Sequence, residues 1–213
     1  MPSKIIEADQ DRPSFIEAAR RAQIIDCAIQ AIAELGYAQA SLAQIARRAR
    51  ISAGVISYYF AGKDDLIRAV VDHVFSAGDA FVRPRVTAQT SARAMLAEFI
   101  AANVGFAVAF PAYVGAMVEI NVSLRAAHAA APFDRAVAGG RAKGLARILD
   151  GGQARGEFRA FSTPIMVDAI IESIDMGAGR PGWEPDHFAA ELITLFDLAT
   201  RAGSTEIPTG DAA

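Results

Sequence analysis

Residues 41–60, SLAQIARRARISAGVISYYF, limit what this chain can fold into more than any other stretch, because they read as two short helices joined by a tight turn. With Leu42 as the first position of a helix-turn-helix, the inward-facing sites fall on Ile45, Ala46, Ala49, Ile51 and Ile56, each apolar or small. An ordinary helical hairpin shares this spacing. It does not ask for the small residue at the tight crossing, Ala46, or for the Ser cap straight after the turn, Ser52. A second helix presented in this way fits the width of the DNA major groove.

The flanking residues supply starts and stops. Residues 1–13 are polar and end in Pro13, which reads as a flexible arm. Ser14 and Glu17 form a capping box for a first helix that buries Ile25, Ala28, Ile29 and Ile32 and ends at Gly36. Ser41 and Gln44 form a second box. After Gly62, Asp64 and Asp65 favour the start of a long fourth helix, with Leu66, Val70, His73 and Ala77 on one face and Pro84 as its end. His73 on that face is read as packing against the head. Further helices are expected from Ser91 to Phe110, from Pro111 to about Leu124, from Pro132 to about Ala154, and over 164–178 and 185–202. Gly151, Gly152 and Gly156 mark a loose boundary, and 204–213 reads as a disordered tail. No strand-like alternation survives a count, so the fold class is all-α: a helix-turn-helix domain over 14–62 and a helical sensor and dimerisation body over 63–203.

Charge sharpens this division. The whole chain carries −3, but residues 14–63 hold six basic residues (Arg20, Arg21, Arg47, Arg48, Arg50, Lys63) against Glu17, Asp26 and Glu34, a local +3 that leaves −6 elsewhere. A basic head on an acidic body suits a DNA-binding module joined to a sensor, although so small an excess also arises by chance clustering. The amino terminus lacks a signal-peptide pattern, and no uninterrupted apolar run reaches the length of a membrane span. One cysteine, Cys27, forms no internal disulfide, and with only Arg20 near to depress its pKa it reads as structural. A cytoplasmic protein with no membrane partner is expected.

In the second helix of the pair, Val55, Ile56 and Phe60 lean toward the first helix, while Ala53, Gly54, Ser57 and Tyr58 share the other side. Small side chains there let the backbone approach base edges, and the Ala53 methyl and Ser57 hydroxyl suit direct readout. Gln44, Arg47 and Arg48 are further candidates for DNA contact, or simply a solvated face.

Residues 20–67 resemble the head of the tetracycline-repressor (TetR) family. The resemblance rests on Gly36-Tyr37, Ser41-Leu42, Ile45-Ala46, Ala49, Ser52, Gly54, the run Tyr58-Tyr59-Phe60, and Lys63 with Leu66. Within that family the head is most similar to the choline-responsive repressors of the betaine pathway, which carry a similar AQIARRA segment. The resemblance implies a transcriptional regulator, a repressor that a small-molecule effector releases from a pseudo-palindromic double-stranded DNA operator. It assigns phosphate contacts to Ser41, Ser52, Tyr59 and Lys63. Arg50 departs from the family, which usually has glycine in the turn. The resemblance also implies a homodimer, with Met166, Ile170 and Ile174 on one terminal helix and Phe188, Leu192 and Leu195 on the other as its surface.

The body offers groups for a ligand pocket: Phe99, Asn103, Phe106 and Phe110 on one helix, Tyr113, Met117 and Asn121 on the next, and Trp183 after a Gly-Pro loop. Asn103 and Asn121, if buried, each need a partner, from a ligand or from the chain itself. Asp168, Glu172 and Asp175 form an acidic stripe without nearby His or Cys, so no metal and no cofactor is expected. The alternative function is an all-α small-molecule enzyme or carrier that owns a helix-turn-helix-like hairpin. It would need convergent catalytic groups, and there is no Ser-His-Asp set, metal spacing or glycine-rich phosphate loop. Effector identity is not legible; choline is a hint that comes from the head alone. The sign of the response, repression or activation, is equally open.

Overall fold

The computed structural model describes residues 15–126, 139–177, 180 and 182–202. Among these residues nine helices carry the fold: α1 Phe15–Leu35, α2 Leu42–Ala49, α3 Ala53–Tyr59, α4 Lys63–Thr87, α5 Ala92–Ala109, α6 Pro111–Ala126, α7 Gly139–Ala154, α8 Thr163–Gly177 and α9 Pro185–Thr200. The expected arm, Ser14, the start of a helix at Pro132 and the tail lie outside the described residues.

Local chemistry explains the first boundaries. Gly36 closes α1 at φ +81°, a left-handed conformation that costs glycine little. Ser41 is extended, and its hydroxyl accepts the Gln44 N–H at 3.3 Å. Arg50 ends α2 in the left-handed region, φ 55° and ψ 44°, with its N–H returned to the Ala46 and Arg47 carbonyls. The turn thus adopts a left-handed residue without glycine, at a cost of about 1 kcal/mol. Ser52 has the backbone of an N-cap, but its side chain makes no capping hydrogen bond, unlike the cap expected from sequence.

Two cores organise the chain. The first gathers Ile24, Ile25, Ala28, Ile29 and Ile32 of α1 with Ile45, Ala46 and Ile56 of the pair, and with Leu66, Val70 and Val74 of α4. Ala116 and Ile120 of α6 also belong to it. The second core takes Val82 and Val86 from α4, Leu96, Phe99 and Ile100 from α5, Leu145 and Leu149 from α7, and buried faces of α8 and α9. Helix α4 contributes to both.

That double role explains why Pro84 does not end α4. It lies inside the helix, and the exposed carbonyl one turn back loses only its helical donor. Val82 and Val86 on either side of it bury into the second core, while Thr87 Oγ1 donates to the Arg83 carbonyl at 2.9 Å to close the last turn. Gly151 and Gly152 also differ from expectation, lying within α7 rather than loosening its end. A Cβ at Gly152 would overlap the Phe158 ring, so its small size serves packing.

The stripes read as a dimer surface need correction. Ile170, Ile174, Phe188 and Leu192 are buried inside the second core of a single chain, and Met166 is half-buried against it. Of the six, Leu195 alone is exposed. Helical spacing marks an apolar face without saying what covers it, and α5 covers this one first. The outer sides of α8 and α9 instead present Ile165 and Met176, and Leu195 and Leu198.

Helix α5 is long and apolar enough to cross a membrane by length and composition. It packs at the centre of the second core, and its polar residues pair in-chain: Glu98 with Arg85 at 2.7 Å and Arg93 with Asp197.

Candidate nucleic-acid interface

Helix α3 is anchored through one side. Ile56 is fully buried and Phe60, just beyond the helix, is buried with it, the Arg21 guanidinium lying 4.9 Å above the Phe60 ring. This fixes the opposite side outward, where Ala53, Gly54, Ser57 and Tyr58 are all exposed. Ser57 Oγ donates to the Ala53 carbonyl at 3.3 Å, which leaves its lone pairs outward. Tyr58 is 73% exposed and reaches back to donate to Glu17 Oε1 on α1 at 3.3 Å. A Cβ at Gly54 would meet nothing nearer than Ser52 Oγ at 3.8 Å, so glycine there is not required for folding and keeps the outer surface low.

The surrounding candidates divide. Arg47 and Arg50 are exposed and form no ion pair among the described residues. Arg48 is bound by both nitrogens to the Glu34 carboxylate of α1, an exposed pair that competes with phosphate for the same guanidinium. Ser41 and Ser52 are exposed at the two helix starts, whereas Gln44 and Tyr59 are half-buried. Lys63 Nζ donates to the Tyr37 carbonyl at 2.6 Å and lies 4.3 Å over the Tyr37 ring. Burial pushes its pKa below the usual lysine value, against the pull of Asp64. Cys27 is half-buried; burial raises its thiol, and the nearby cation is Arg48, not Arg20.

The matches to known proteins fall on this same head. Residues 24–70 fit the family model described as bacterial regulatory proteins, tetR family. This head is a tetR-family domain. The chain is 42% identical over 85 residues to the HTH-type transcriptional regulator BetI of Burkholderia cenocepacia, covering 39% of this chain and 44% of BetI. The chain therefore spans less than half the length of the relatives it matches. The complete tetR-type architecture comes from structure. The fatty acid degradation regulator FadR of Bacillus halodurans superimposes with a TM-score of 0.73 at 20% identity, over 92% of this chain and 99% of FadR. FadR of Bacillus subtilis, solved with stearoyl-CoA, gives 0.67 at 22% identity, over 82% and 96%. At this identity the likeness establishes the fold.

Behind the tetR head, the residues read as a ligand pocket do not converge on one cavity. Phe99 is buried in the second core, and Asn103 Nδ2 donates to the Phe99 carbonyl at 2.7 Å, an in-chain partner of the kind such a residue needs. Met117 packs against the first core, and Asn121 is exposed. Phe106, Phe110 and Tyr113 do cluster, with Phe106–Phe110 centroids 4.9 Å apart and Phe110–Tyr113 5.4 Å, joined by Phe81 of α4. Tyr113 then reaches the head: its hydroxyl donates to Asp26 Oδ1 of α1 at 3.4 Å and lies 3.3 Å from His73 Nε2 of α4. Burial, then Asp26, raise the Tyr113 pKa.

Trp183 lines a different space, a cleft of about 210 Å³ bounded by Val104, Ala107 and Val108 of α5, Pro111, Gly177, Arg180, Pro185 and Phe188. Sequence reasoning named Trp183 and missed its partners, because no local pattern links the ends of α5 and α8. The acidic stripe of α8 is exposed, and Asp175 accepts from Arg141 Nη1 at 2.7 Å.

Proposed function

We propose that this chain is a ligand-responsive transcriptional regulator, acting as a homodimeric repressor that a small-molecule effector releases from a pseudo-palindromic DNA operator. The observation that carries the reading is α3: pinned from behind by Ile56, it turns Ala53, Gly54, Ser57 and Tyr58 to solvent within a tetR-type head. Such a face admits base edges closely, while Arg47, Arg50 and the helix starts at Ser41 and Ser52 supply phosphate contacts. In this reading residues 14–62 hold DNA and residues 63–203 sense and dimerise, in the cytoplasm.

Paired heads are needed because one head covers only a half-site. The outer faces of α8 and α9, with Ile165, Met176, Leu195 and Leu198, are the surface offered to a second copy. An effector acts by favouring a body conformation in which α4 moves the heads off register, to the extent that it binds the two conformations differently.

The test is a fluorescence anisotropy titration of the full chain against the DNA upstream of its own gene, at several salt concentrations. Saturable binding that weakens steeply with salt is expected. Absence of salt-sensitive binding there would overturn the reading.

A further inference from the structure

We infer that the cleft between the α5–α6 corner and the start of α9 is the effector site, and that it takes a small carboxylate with an apolar body. The inference deepens the regulator reading above and rests on it for the word effector. Its walls are Val104, Ala107, Val108, Pro111, Gly177, Trp183, Pro185 and Phe188, and among the described residues its only charged wall residue is Arg180. Arg180 forms no ion pair among the described residues; its guanidinium lies 4.8 Å over the Trp183 ring, which in turn lies 4.9 Å from Phe188.

This arrangement selects by charge. A quaternary ammonium would need the open face of an aromatic ring and a nearby carboxylate. One face of Trp183 is already taken by a cation, and among the described residues no acidic side chain lines the cleft. An anion meets instead the Arg180 guanidinium, which no carboxylate among the described residues occupies. Size selects as well, since about 210 Å³ is below the roughly 300–1,000 Å³ of sites that enclose drug-sized ligands. A short aliphatic or single-ring acid fits within it.

The cleft is also placed to be felt by the head. Pro111 starts α6, and Tyr113, two residues on, holds Asp26 of α1 and His73 of α4. A ligand that wedges the α5–α6 corner therefore acts on a residue that touches α1 of the head and α4, the helix that follows the head.

Trp183 is the chain's single tryptophan, so it reports the cleft without reference to DNA. The full chain is titrated with benzoate and hexanoate, and separately with benzamide, hexanamide and choline, following tryptophan emission. A saturable change with a carboxylate and none with its amide or with choline is expected. Arg180→Gln, at an exposed position, should weaken carboxylate binding about tenfold or more with an unchanged melting temperature. Val108→Phe, which fills the cleft from an exposed position, should abolish it. No saturable change with either acid, an equal response to choline, or unchanged affinity in Arg180→Gln overturns the inference. DNA binding by the unliganded chain is measured in parallel. Its absence would sink the regulator reading while leaving the cleft chemistry to the emission data, and its presence beside a silent Trp183 would sink the cleft alone.

Discussion

Arg50 holds a left-handed backbone that glycine would adopt without penalty, and it does so exposed, with no ion pair among the described residues, beside the candidate DNA surface. Two measurements separate strain from function. Arg50→Gly should raise stability in a urea melt by up to about 1 kcal/mol, and it should weaken operator binding with a shallower salt dependence. A variant that loses stability would show that the turn tolerates arginine for a reason other than DNA. At Gly177 the direction reverses. A Cβ there would overlap the Phe188 ring, so Gly177→Ala should destabilise by about 1–3 kcal/mol in the same melt. Residue-scale features were legible where a short-range rule applies: Gly36, the Ser41 cap and the outward face of Ala53, Gly54, Ser57 and Tyr58 all follow from neighbours in sequence. The ion pair that occupies Arg48 was not, because Glu34 lies on another helix and spacing alone does not bring them together.

At the scale of elements, the start of α5 is held by groups far away in sequence. Ser91 Oγ accepts the Ala94 N–H at 3.1 Å, and Glu157 Oε2 accepts the Ala92 N–H at 2.7 Å. Asp197 of α9 accepts from Arg93 Nε at 2.8 Å and from Arg201. The Arg155 side chain, helped by the backbone N–H groups of Arg93 and Ala92, lowers the Glu157 pKa; Arg201 and then Arg93 lower that of Asp197. Carboxylates depressed by folding stabilise fully above their unfolded pKa, about 4, and lose that contribution as pH falls through their lower folded values. The urea midpoint should therefore drop as pH is taken from 6 to 3, and Asp197→Asn should lower it at pH 6 while flattening the drop. A midpoint that stays level in the unaltered protein would refute this. The capping Ser91 was readable; Glu157 and Asp197 were not, since both act across the fold. Pro84 misled for a related reason, because burial of Val82 and Val86 outweighs a single missing hydrogen bond near the end of α4.

For the whole molecule, the exposed apolar faces of α8 and α9 carry the expectation of a dimer. Leu195→Glu combined with Leu198→Glu should give a folded monomer by analytical ultracentrifugation, with operator affinity reduced about a hundredfold or more through loss of the second head. Leu192→Glu, one turn away but buried, should instead unfold the chain. If the double variant stays dimeric, another surface makes the pair. Sequence periodicity located both helices and could not tell their inner face from their outer one, which is why Ile170, Ile174, Phe188 and Leu192 were misassigned.

Ala116 and Ile120 complete the hydrophobic interior beneath the helix-turn-helix although they are encoded well beyond it, on α6. A chimaera that transplants residues 1–62 onto a foreign body would leave that interior open. Exchange of operator specificity between such proteins should then succeed by resurfacing α3, at Ala53, Gly54, Ser57 and Tyr58, and fail by wholesale swapping of amino-terminal halves unless the α1-facing side of α6 travels with them.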